Sequence, residues 1–130
     1  MAIPQRLEPG KRLADDDAIN TALATPQWQD KPGITALAGG ALNSSTPVLV
    51  LGANEVTTVA SGADSVVLPV AVPGSVVFVA NAGASSMQVF ANGSDTINGT
   101  AGATGVAQAN GRSALYVAAD RGQWYRILSA

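Results

Sequence analysis

Beyond Pro47 every apolar run in this chain is cut short by a turn-forming or other polar residue, most often glycine, proline, asparagine or serine, before it reaches helical length. An amphipathic helix needs about ten or more residues of 3.6-fold patterning, whereas a strand needs only about four to eight. The punctuation therefore admits strands and little else. VLVL (48–51) reads as a buried strand, and Gly52-Ala53-Asn54 as a turn after it. VTTVA (56–60) is β-branched, and SVVLPV (65–70) is a strand whose Pro69 places it at an edge or an end, since proline cannot donate to a ladder. Pro73-Gly74 is a turn dipeptide. SVVFVAN (75–81) and SMQVFAN (86–92) read as a hairpin closed by residues 82–85.

Residues 92–111 are rich in glycine, asparagine and threonine and read as a long loop pegged by Ile97. RSALYVAA (112–119) and QWYRILS (123–129) follow as two strands around an Asp120-Arg121-Gly122 turn. In the last strand Trp124, Arg126 and Leu128 share one face, and Tyr125 and Ile127 the other. Of the two phenylalanines, Phe78 and Phe90, one is expected in the core and the other beside it or against a neighbouring subunit. The expected fold is all-β: an antiparallel sandwich or jelly-roll-like small barrel of seven or eight short strands. No exact internal repeat is visible, which argues against a solenoid.

The residues before Pro47 differ in kind. MAIPQRLEPGKRL (1–13) carries two prolines and the basic side chains of Arg6, Lys11 and Arg12, and reads as an extended arm. ADDDAINTALA (14–24) reads as one short helix, with Asp15, Asp16 or Asp17 capping its first amides and Pro26 stopping it. Residues 25–46 read as a linker in which Trp28, among polar neighbours, is either an anchor onto the domain's own flank or, the preferred reading, an aromatic contact for a partner. The chain thus divides into an N-terminal arm with a short helix and linker, 1–46, and a β-domain, 47–130.

Charge narrows the job. Nine of the sixteen Asp, Glu, Lys and Arg residues precede Pro32, which leaves seven for the remaining ninety-nine. Soluble monomers carry charge on about a quarter of their residues, so much of this domain's surface is expected to face other protein, its own copies included. A net charge of −2 and a pI near 4.7 disfavour a nucleic-acid binder, which needs a basic field. No run approaches the length of a membrane span. Without a secretory h-region at its start, the chain is expected to be soluble and made in a cytoplasm.

Chemistry is scarce. With no histidine and no cysteine, triads, thiol nucleophiles and ordinary zinc sites are excluded. The few carboxylates of the β-domain sit mostly at turns. Asp95 and Asn98 in the Gly93–Gly99 loop read as local side-chain-to-backbone turns rather than cation ligands. No enzyme, metal or cofactor is expected.

One spaced pattern points further. Asn81-Ala82-Gly83, Met87-x-Val89-Phe90, Gly93-x-Asp95-x-Ile97-Asn98-Gly99, Gly111 and Gly122-x-Trp124-Tyr125 together resemble small structural proteins of tailed bacteriophages. The likeness covers roughly residues 75–128 and is to capsid decoration (cement) proteins and to head-fibre or tail modules. It implies a virion protein made in the host cytoplasm and placed on the outer capsid surface. Its partners would be the major capsid protein and further copies of itself, a trimer ahead of a dimer. Arg6, Lys11, Arg12 and Trp28 are the docking candidates. The alternative is a receptor- or carbohydrate-binding module of a fibre or tail, for which Tyr116, Trp124 and Tyr125 are the only β-domain aromatics outside the two phenylalanines.

Overall fold

The alternating runs do become strands, and side-chain amides and glycines decide where the chain turns between them. The computed structural model describes residues 28–129, and these form ten strands in two sheets with no helix. In chain order they are β1 (Gln29–Thr35), β2 (Gly52–Thr58), β3 (Ser65–Val67), β4 (Val76–Asn81), β5 (Met87–Phe90), β6 (Thr96–Ile97), β7 (Thr100–Ala101), β8 (Val106–Gln108), β9 (Ser113–Asp120) and β10 (Gln123–Leu128). The large sheet runs β1-β2-β4-β9-β10-β6-β7, and the small one β3-β5-β8. The expected short helix at 14–24 lies outside the described residues.

Between β1 and β5 the chain winds. It passes from the large sheet (β2) to the small (β3), back to the large (β4) and again to the small (β5). Each strand pairs in parallel with its equivalent one circuit away, β2 with β4 and β3 with β5. Gln29 pairs with Gly52 and Gly52 with Val77, steps of 23 residues (29 to 52) and 25 residues (52 to 77). This is solenoid-like winding, so the expectation of an antiparallel sandwich or jelly roll is corrected. The repeat is structural and escapes a search for exact sequence copies. Only the later part is mostly antiparallel: β9 lies between β4 and β10, and β8 caps β5.

The hairpin expected from 75–81 and 86–92 does not form. A hairpin requires the two runs to bond to each other, but β4 and β5 lie in different sheets. At the corner between them, Asn81 Nδ2 donates to the Ser85 carbonyl at 3.0 Å, and Asn81 Oδ1 accepts from Gly83 N at 3.0 Å. The corner's main chain bonds instead to the preceding circuit, through Ala82 N to Val56 O at 2.8 Å. Gly83 makes that stacking possible: a Cβ there would come within 2.6 Å of the Val59 nitrogen.

Four further expectations are revised. Gly52-Ala53-Asn54 is part of β2, not a turn, because Asn54 does turn chemistry from within the strand. Its amide donates to Val50 O and Phe78 O while its oxygen accepts from Val50 N. VLVL (48–51) forms only an isolated bridge, Val48 to Val67. Within the stretch expected to be linker, Gln29–Thr35 is strand β1, paired with β2 and bulged around Pro32 and Gly33. The long loop 92–111 likewise contains β6, β7 and β8, and Ile97 is fully buried as its peg.

Inward residues follow from the alternation: Val56 on β2, Val77 and Val79 on β4, Tyr116 on β9 and Trp124 on β10. They meet Val66, Met87 and Val89 of the small sheet in one core. The core is thin because valine and alanine dominate it. Its one large polar member is Gln108, fully buried on β8.

Candidate docking surface

The same alternation that fills the core sends every second residue of the large sheet to its outer face. On β4 these are Val76, Phe78 and Ala80; on β9, Leu115 and Val117; on β10, Tyr125 and Ile127. The ladder aligns them in rows. One row is Ala53-Phe78-Leu115-Ile127, and the next is Val76-Val117-Tyr125. Ile127 is 67% exposed, Tyr125 47% and Phe78 37%. Scattered exposed apolar residues are ordinary, but a contiguous apolar patch marks an interaction site. This patch spans three neighbouring strands.

The patch runs into a cleft of about 300 Å³ lined by Trp28, Leu51, Gly52, Pro73, Gly74, Ser75 and Val76. Trp28 is 55% exposed at its rim. Its position is set just downstream, where Gln29 N donates to Leu51 O at 2.8 Å and starts β1. Of the four docking candidates, Trp28 therefore lies on an apolar cleft, and Arg6, Lys11 and Arg12 lie outside the described residues.

The aromatics needed for a receptor- or carbohydrate-binding site are not gathered at a loop end. Tyr116 and Trp124 are fully buried, and only Tyr125 reaches solvent. Burial pushes the Tyr116 phenol up to about 12, against the opposing field of Arg126, and its hydroxyl donates to Gln108 Oε1 at 3.1 Å. The Trp124 indole N–H is buried without a hydrogen-bond acceptor.

The Gly93–Gly99 loop uses its polar side chains differently from the local turns expected of them. Asp95 Oδ2 accepts from Ala71 N at 2.8 Å, and Asn98 Oδ1 accepts from Arg126 N at 3.0 Å, both across more than twenty residues. These groups tie the loop to distant main chain. A second cleft of about 510 Å³, lined by Val70, Val72, Asp95 and Arg121 among others, lies beside this loop. Among the described residues no three acidic side chains converge as a metal site would require.

The outer-face residues were partly legible in the sequence, since alternation alone places Tyr125 and Ile127 together. That Phe78 and Leu115 lie beside them depends on which strands pair, and no local signal carries that. Comparison with protein-family models, with curated proteins and with solved structures gives no match.

Proposed function

We infer that this chain is a structural protein that works by binding alone, a capsid decoration protein of a tailed bacteriophage. It would sit on the outer shell and bridge adjacent major capsid subunits. The observation that carries the reading is Trp28: a half-exposed indole at the rim of an apolar cleft, the first described residue after the charged segment 1–27 that holds Arg6, Lys11 and Arg12. An arm with Arg6, Lys11 and Arg12 can follow a protein surface, and the Trp28 cleft supplies an apolar anchor at its root. The charge-poor β-domain and the spaced phage-like pattern support the same reading. Each bridge needs only a few kcal/mol, because a shell repeats it many times. Receptor or carbohydrate binding loses support, with two of its three aromatics in the core.

The test removes residues 1–27, which leaves β1 intact. The truncated protein should keep its β-sheet circular dichroism and its melting temperature yet no longer co-sediment with expanded capsids. Trp28→Ser in the full chain should weaken co-sedimentation about tenfold or more. Undiminished decoration by both variants would remove the arm from the account.

A further inference from the structure

We propose that the outer face of the large sheet pairs with the same face of a second copy, about a twofold axis parallel to the strands. The proposal deepens the reading above and takes its biological sense from it, although the pairing itself requires no capsid.

Three features select a second copy as the occupant. The first is shape. A twofold axis along the strands, midway between two facing sheets, keeps each row at its height and reverses its order. In the row Ala53-Phe78-Leu115-Ile127, the partner's Ile127 then lies over Ala53, and the partner's Leu115 over Phe78. The most exposed side chain of the row, Ile127, meets its smallest, Ala53, which suits close packing of two sheets. In the next row Val76 meets the partner's Val117.

The second feature is charge. The row beyond begins at exposed Glu55 on β2 and continues through Ala80 and Ser113. It ends at Ser129, bonded to Ser113 through both main chain and hydroxyl. There the Arg112 guanidinium donates to the Ser129 carbonyl at 3.2 Å. Acid stands at one end of the row and base at the other, so the same operation brings each Glu55 toward the partner's Arg112. The two apolar rows hold no charge among their β2, β4, β9 and β10 positions. A face both apolar and self-complementary in charge suits an isologous interface.

The third feature is that both edges of the large sheet are closed to association. β1 is bulged, contains Pro32 and presents Lys31, whose Nζ donates to Val48 O at 2.8 Å. The opposite edge, β7, is only two residues long. Proline, charge, bulges and brevity are how sheets block edge-to-edge pairing. For the large sheet the face is the open route.

Sedimentation equilibrium of the full chain, from low to high micromolar, tests this. A monomer–dimer equilibrium is expected. Ile127→Lys should weaken pairing at least about tenfold with an unchanged β-sheet spectrum. Glu55→Arg should weaken it too, and Glu55→Arg combined with Arg112→Glu should restore it, which a folding defect would not do. A monomer throughout, a trimer, or a dimer indifferent to Ile127→Lys and to the charge exchange would overturn the proposal. Capsid co-sedimentation separates the two readings. A dimer that decorates no shell leaves the pairing standing and sinks the capsid role; a monomer that decorates shells does the reverse.

Discussion

Asp64 shows how one side chain can hold two circuits of the winding together. Its Oδ2 accepts from Ala60 N at 2.9 Å and Ser61 N at 3.3 Å, and its Oδ1 from the Ser61 hydroxyl at 2.9 Å and Gly39 N at 3.4 Å. These donors, the Ser61 hydroxyl foremost, hold its carboxyl below the ordinary value of 3.8. A carboxylate with a depressed folded pKa contributes stability that is present above the unfolded value and lost as pH falls through the folded one. Asp64→Asn should therefore melt below the wild type at neutral pH, and the gap should close as pH drops below 3.8. Thermal melts across that range check it, and a gap independent of pH would refute the assignment. In the sequence, Asp64 reads only as a turn residue. That much is right, but its reach to Gly39, twenty-five residues back, follows from the winding.

At the scale of elements, Gln108 on β8 joins the two sheets. Its amide donates to Val79 O of β4 at 3.0 Å and to Arg112 O at 3.1 Å, and its oxygen accepts from the Tyr116 hydroxyl of β9. Its own carbonyl accepts from Asn81 Nδ2 at 2.9 Å. In a core of valine and alanine this amide specifies how the small sheet sits on the large one. Gln108→Leu would leave the buried Tyr116 phenol without its partner and remove the amide's bonds to Val79 O and Arg112 O, the latter still accepting from Asn81 N at 2.9 Å. A net loss of about 1–3 kcal/mol is expected from urea unfolding. Tyr116→Phe on that background should cost less than it does alone, because the pair acts as one network. Neither residue could be found from the sequence as a site. Gln108 lies in a glycine-rich stretch that looks like loop, and Tyr116 looks like any strand aromatic. The grouping of strand faces, by contrast, was readable: alternation sets Trp124 opposite Tyr125 and Ile127, and the structure turns the Trp124 side inward.

For the whole molecule, the consequential revision is where folding begins. β1 pairs along β2, and Ile34 and Ala36 belong to the core. Removing residues 1–36 should thus act quite differently from removing 1–27. It would delete the buried Ile34, worth about 2 kcal/mol or more, and uncover the hydrogen-bonding edge of β2. The longer deletion should melt at a clearly lower temperature and aggregate by light scattering, whereas the shorter one stays dispersed. Equal behaviour of the two would mean that β1 adds nothing to the domain.

The sequence by itself determined that residues 47–129 are all-β, which residues of the last strand share a face, and that neither histidine nor thiol chemistry is available. These properties are local, set by alternation, by turn residues and by composition. Tertiary structure alone decided that the first circuits run parallel, that Val76–Asn81 and Met87–Phe90 part company, and that Phe78, Leu115 and Ile127 lie side by side. Alternation encodes which face a side chain takes but not which strand lies next to it. That choice rests on contacts more than twenty residues apart, made by corner side chains such as Asn81 and Asp64 and by the close approach that Gly83 permits.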